Sequence, residues 1–136
     1  MYSKNTILLV DDEEVVKQRL CDVIRDEYEI LDASDGQEAL ELLAQNIDKV
    51  AVIVLDLIMP VMDGFQFMDA FRRHQEYDNI PVIVATSNED WHSEQKCLEA
   101  GVWDFVMKPY NPVLLRFRIK NAIDKSRMIM AERDAV

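Results

Sequence analysis

Val50-Ala51-Val52-Ile53-Val54-Leu55-Asp56 is the stretch whose reading decides the fold. An unbroken apolar run of this length, bounded by polar residues, reads as a strand buried on both faces. Three other runs have the same form: TILLV before Asp11-Asp12, IPVIVA before Thr86 and WDFVM before Lys108. In an open parallel sheet the carboxyl ends of the strands share one edge, and ligands bind there. Residues far apart in the chain then converge on one spot, bringing three carboxylates, a hydroxyl and an ammonium. That set suits a divalent cation and a phosphoryl group.

Strand-like runs alternate with helix-length amphipathic segments five times along the chain. Glu13 to about Asp26 places Val16, Leu20, Val23 and Ile24 on one helical face. Tyr28 to Ala33 reads as a strand, and Ser34-Asp35-Gly36 as a turn that caps a helix over Gln37 to Gln45. Asp63-Gly64 opens a third helix with Phe67, Met68 and Phe71 inward. Asn88-Glu89-Asp90 starts a fourth through Trp91, Cys97, Leu98 and Ala100, stopped by Gly101. The last begins at Asn111-Pro112, with Pro in the first turn, and extends past Ile123. Repeated strand–helix units imply right-handed crossovers and a parallel sheet covered by helices on both faces. Periodicity alone does not order the strands.

At 136 residues, 49% hydrophobic and 30% charged, the chain fits one soluble domain with a sizeable core. Its longest apolar stretches are too short for a membrane span, and Met1 to Asn5 leaves no room for a signal peptide, so a cytoplasmic location is expected. A net charge of −11 argues against direct binding of nucleic acid and suits metal binding and basic partner surfaces. Cys21 and Cys97 lack metal or redox spacing and read as core or half-buried thiols. His74 and His92 read as surface residues.

Crowding Asp11, Asp12 and Asp56 at one edge costs free energy unless positive charge sits among them. Mg2+ takes oxygen ligands and keeps several waters, so these carboxylates and one backbone carbonyl suffice; the Ile58 carbonyl, just past Asp56, is the candidate. Asp56 is the candidate nucleophile, because a carboxylate can attack phosphorus. Lys108 would neutralise the transferred oxygens and Thr86 would donate its hydroxyl to one of them. The blander alternative is that acidic residues after a strand only cap the next helix, as Asp12-Glu13-Glu14 would. Joint placement of such residues at four strand ends disfavours it.

These pieces resemble the receiver domain of two-component response regulators: LLVDDE, VLDLIMPVMDGF around Asp56, VIVATS with Thr86 and DFVMKPY with Lys108. The similarity runs from about Thr6 to Asp124. It implies a doubly wound, flavodoxin-like sheet of order 2-1-3-4-5 flanked by five helices. It also implies Mg2+ held by Asp11, Asp12, Asp56 and the Ile58 carbonyl, and phosphorylation of Asp56 by the phosphohistidine of a sensor histidine kinase or phosphotransfer protein. By the same resemblance, Lys108 contacts the phosphoryl group through a segment with a cis Lys108-Pro109 bond. Thr86 and the strand-five aromatic, here Phe105, form the switch, and the fourth helix, fifth strand and fifth helix form the output face. Such a domain signals and is not itself an enzyme. Phe105 carries no hydroxyl, so only a buried-versus-exposed ring switch is open to it. Ile58 and Asn88 occupy positions that tune phosphoryl lifetime in the family, and an apolar Ile58 offers no amide to position water.

The receiver is expected over 1–125, with 126–136 a helical extension or the start of a linker to an output module. That tail reads either as a frayed surface helix or as a signalling helix that enters an output domain or pairs with a second copy. An aspartyl-phosphate phosphatase would need a second acid where Ile58 stands. A flavodoxin-like cofactor binder would need a phosphate loop where Asp11 to Glu14 repel phosphate. A receiver-like binding module that acts without phosphorylation is the remaining competitor.

Overall fold

A computed structural model describes residues 4–87 and 91–135, the side chains of residues 91 and 92 excepted. The expected start of the fourth helix at Asn88-Glu89-Asp90, the rate-tuning role of Asn88 and the side chains of Trp91 and His92 lie outside the described residues. The five strands are β1 (Thr6–Val10), β2 (Glu29–Ala33), β3 (Val50–Leu55), β4 (Val82–Thr86) and β5 (Asp104–Met107). They form one parallel sheet of order β2-β1-β3-β4-β5. Between and after them run α1 (Glu14–Ile24), α2 (Gly36–Gln45), α3 (Gly64–Phe71), α4 (Trp91–Glu99) and α5 (Pro112–Asp134). The fold is the doubly wound, flavodoxin-like one that the resemblance implies.

The three inner strands β1, β3 and β4 are buried on both faces because each face carries its own core, whereas the edge strands β2 and β5 are only half-buried, so the WDFVM run is not the doubly buried strand its reading suggests. Leu8, Val10, Ile53, Leu55, Val82 and Val84 pack with Leu43, Phe67, Phe71 and Cys97 from α2, α3 and α4. Ile7, Leu9, Val52, Val54, Ile83 and Ala85 pack with Leu20, Ile24, Leu115 and Ile119 from α1 and α5. Side chains alternate across a strand, so one run feeds two layers.

Local signals set the helix ends. Asp35 accepts from the Glu38 N–H, and Asp63 and Gln66 form a reciprocal capping box. Asn111 accepts from the Val113 N–H ahead of Pro112. Gly101, at φ 90°, ends the segment after α4 in a conformation that costs glycine little. A 3-10 turn over Gln75–Tyr77, not foreseen, seats Tyr77 against Phe71.

Two helical faces differ from expectation. On α1 the buried positions are Lys17, Leu20 and Ile24, with Val16 and Val23 half-buried. The face is turned because Lys17 reaches acidic partners: its Nζ lies 2.7 Å from Asp32 and 2.9 Å from Glu14. On α4, Cys97 is buried whereas Leu98 is 52% exposed. Cys21 is half-buried and Cys97 buried, and His74 is a surface residue paired with Glu76.

Helix α5 is continuous for 23 residues. Beyond Lys125, Ser126 is buried and its hydroxyl donates to the Asn79 carbonyl at 2.7 Å. Arg127 donates to the Lys4 carbonyl at 2.9 Å, and Arg133 to the Asn79 side chain at 2.6 Å. These bonds tie the helix to the edge of the sheet opposite the acidic one. Among the described residues no helix is long and apolar enough to cross a membrane.

Candidate phosphoryl-acceptor site

The β1–β3 register ends by pairing Val10 with Leu55, so Asp11 and Asp56 emerge side by side where the strands stop. Both are buried, at 4% and 3% exposure, while Asp12 is exposed. Carboxylate oxygens of Asp11, Asp12 and Asp56 all lie within 4.8 Å of one another. On β4 and β5, Thr86 pairs with Met107, and the Lys108 N–H donates to the Thr86 carbonyl at 2.8 Å. Thr86 is fully buried. The structure therefore gathers Asp11, Asp12, Asp56, Thr86 and Lys108 at the carboxyl edge of the four strands β1, β3, β4 and β5.

Lys108 ties the cluster together. Its Nζ lies 2.8 Å from Asp11, 2.8 Å from Asp56 and 2.9 Å from Glu13. Burial alone would lower the pKa of this ammonium, but hydrogen bonds to Asp11, Asp56 and Glu13 outweigh it and hold the group above the ordinary lysine value. Burial raises the Asp11 carboxyl above the usual range, while Lys108 and the Glu13 N–H pull the other way. Asp12 makes no hydrogen bond or ion pair with the described residues. The peptide after Asp56 is bound back onto it, the Ile58 N–H donating to Asp56 Oδ1 at 3.2 Å. The Ile58 side chain is 58% exposed. Bond Lys108-Pro109 is cis.

Two glycines set the frame. A Cβ on Gly64 would lie 2.5 Å from the Asp56 carbonyl oxygen, so α3 starts directly against the acceptor's own peptide. A Cβ on Gly36 would lie 2.7 Å from the Met62 side chain. Between them Val61 sits at φ 66°, with the Met62 N–H bonded to Pro60 O at 2.7 Å, a γ-turn. Phe105 is half-buried against the core beneath α2 to α4, beside Val84.

Sequence reasoning left out Glu13 as a partner of Lys108 and Lys17 as a buried cation. Only the second had a local signal: counting back from Ile24 and Leu20 at helical spacing lands on Lys17. The Glu13 contact spans 95 residues and has no local signature.

Three carboxylates thus pair with one ammonium at this edge, and a fourth, Asp12, clusters with two of them, Asp11 and Asp56. That imbalance, with several oxygens converging, is the donor set of a hard divalent cation such as Mg2+.

The family model for the response regulator receiver domain matches residues 7–120. The transcriptional regulatory protein SrrA of Staphylococcus aureus is 34% identical over 129 residues, covering 94% of this chain and 52% of that protein. The chain thus spans about half the length of the curated relatives it matches. Among solved structures, the chemotaxis response regulator CheY4 of Vibrio cholerae is 30% identical with a TM-score of 0.78, covering 88% of this chain and 98% of that one. A receiver domain protein of Clostridium thermocellum is 25% identical with a TM-score of 0.82, covering 92% and 98%. With its acidic edge, its sheet order and these relatives in agreement, the chain belongs to the response regulator receiver family of two-component signalling, a signalling domain rather than a conventional enzyme.

Proposed function

We propose that this receiver is a phospho-acceptor: Asp56 takes a phosphoryl group from the phosphohistidine of a sensor histidine kinase or phosphotransfer protein. The observation that carries the reading is the position of Asp56, buried, clustered with Asp11 and Asp12, and 2.8 Å from the Lys108 ammonium that it shares with Asp11. An Asp56 carboxylate oxygen attacks phosphorus, an O–P bond forms and the P–N bond of the phosphohistidine breaks. The imidazole leaves with the electron pair. Lys108 holds negative charge on the transferred oxygens, and the Thr86 hydroxyl donates to one of them. Asp11, Asp12, Asp56 and the Ile58 carbonyl would hold Mg2+, which supplies further charge neutralisation when bound.

Output passes through Thr86 and the half-buried Phe105 ring to the face of α4, β5 and α5. The recipient is an output module joined through the α5 extension over 126–136, or a second copy, and the domain itself does not grip nucleic acid. A cytoplasmic location follows from the kinase as donor. The charge imbalance favours this reading over a binding module that works without phosphate.

The test is incubation with Mg2+ and acetyl phosphate, read by intact mass. A phosphoryl adduct on the wild type that is lost in Asp56→Asn supports the proposal. A folded wild type with no adduct would leave the binding module as the function.

A further inference from the structure

Lys108 donates to Glu13 and Asp56 and pairs with Asp11 at 2.8 Å, so three carboxylates crowd its ammonium before any phosphoryl group arrives. A phosphoryl group on Asp56 brings new anionic oxygens, and one of the existing partners must give way. The three are not equally free to do so. The Asp11 side chain is 5% exposed, and its Oδ1 is held by the Glu13 N–H at 2.8 Å. Turning it away with no cation to receive it would strand a buried charge. Asp56, 3% exposed, is the acceptor itself. Glu13 is 51% exposed and can exchange Lys108 for water.

Glu13 also occupies the N-cap position of α1 without capping it with its side chain. An N-cap side chain ordinarily satisfies a free N–H of the first turn. Here it crosses to a lysine 95 residues away.

We infer that Glu13 is the displaceable partner of Lys108, an internal competitor holding the place on the ammonium that a phosphoryl oxygen takes. It is a positioning residue that biases the site toward its unphosphorylated form. The inference rests on the phospho-acceptor reading and specifies how that site is held in check.

Beryllofluoride, which mimics a phosphoryl group on a carboxylate, gives an equilibrium test. Its affinity is measured by calorimetry at saturating Mg2+ for the wild type, Glu13→Gln and Glu13→Asp. A half-exposed ion pair sets the scale, so Glu13→Gln should bind about two- to fivefold tighter. Glu13→Asp keeps the charge but loses the reach to Lys108, and should also bind tighter than wild type. Unchanged or weaker binding in Glu13→Gln overturns the inference. So does a Glu13→Asp variant that matches wild type while Glu13→Gln is tighter, since charge at a distance would then explain the gain. No adduct on the wild type overturns the phospho-acceptor reading and this one with it. A wild-type adduct that neither variant strengthens overturns this one alone.

Discussion

Gly64 and Asp56 meet so closely that a Cβ on the first would lie 2.5 Å from the carbonyl oxygen of the second. The next nearest atom is the Leu57 Cα at 2.7 Å, backbone that cannot turn aside. Gly64→Ala must push α3 off the peptide that carries the acceptor. The expected cost is about 1–3 kcal/mol by urea unfolding, the range for overpacking a tight site. Beryllofluoride binding should weaken as well, and wild-type values for both would show that α3 can slide.

Lys17 is buried with exposed partners, Asp32 at 55% and Glu14 at 78%. Removing the lysine therefore strands no buried charge. Lys17→Met, which keeps the stem, should cost less than about 1 kcal/mol. Lys17→Ala, which loses its packing, should cost about 2 kcal/mol or more. Differential unfolding of the two variants separates stem from charge.

The same lysine has a pH signature. Burial opposes its charge, but Asp32 and Glu14 prevail and raise its pKa above 10.5. A raised folded-state value means the stabilisation is complete below 10.5 and lost as pH climbs through the folded value. The stability advantage of wild type over Lys17→Met should therefore shrink in alkali and stay constant through neutral pH. An advantage that persisted unchanged into strong alkali would contradict the assignment.

Metal binding should carry the opposite signature. Burial raises the Asp11 carboxyl, so it takes up a proton at higher pH than a free aspartate. Mg2+ needs that carboxylate ionised. Mg2+ affinity should fall on acidification, and begin to fall above the usual aspartate range. Titration of Mg2+ at a series of pH values, with Asp11→Asn as the reference, checks this.

Ile58 presents an exposed apolar side chain immediately beside the acceptor. It has no group to orient water for attack on an acyl phosphate. Phosphorylated protein in Mg2+ should therefore lose its phosphoryl group slowly, and Ile58→Asn should shorten its lifetime. A wild-type half-life of seconds would count against this.

How far the chain announced itself depends on the range of each interaction. The five strands and the caps at Asp35, Asp63 and Asn111 were legible because burial period and capping act within a few residues. Asp11, Asp12, Asp56, Thr86 and Lys108 could be placed together because parallel strands share an edge. Strand order came from resemblance, since periodicity cannot say which strand lies beside which. Lys17 was hidden by its type, a charged residue in an apolar stripe. Glu13 was hidden by distance, as its partner is set only by the closed sheet.

The polar contacts along the end of α5 behave as a vernier. Ser126 and Arg133 meet the same residue, Asn79, through its carbonyl and its side chain, while Arg127 meets Lys4. Each residue of a helix advances its neighbour by about 100°. One residue inserted between Arg127 and Arg133 would turn Arg133 away from Asn79 while leaving Ser126 in place. The extension is thereby indexed to the sheet in angle as well as in height.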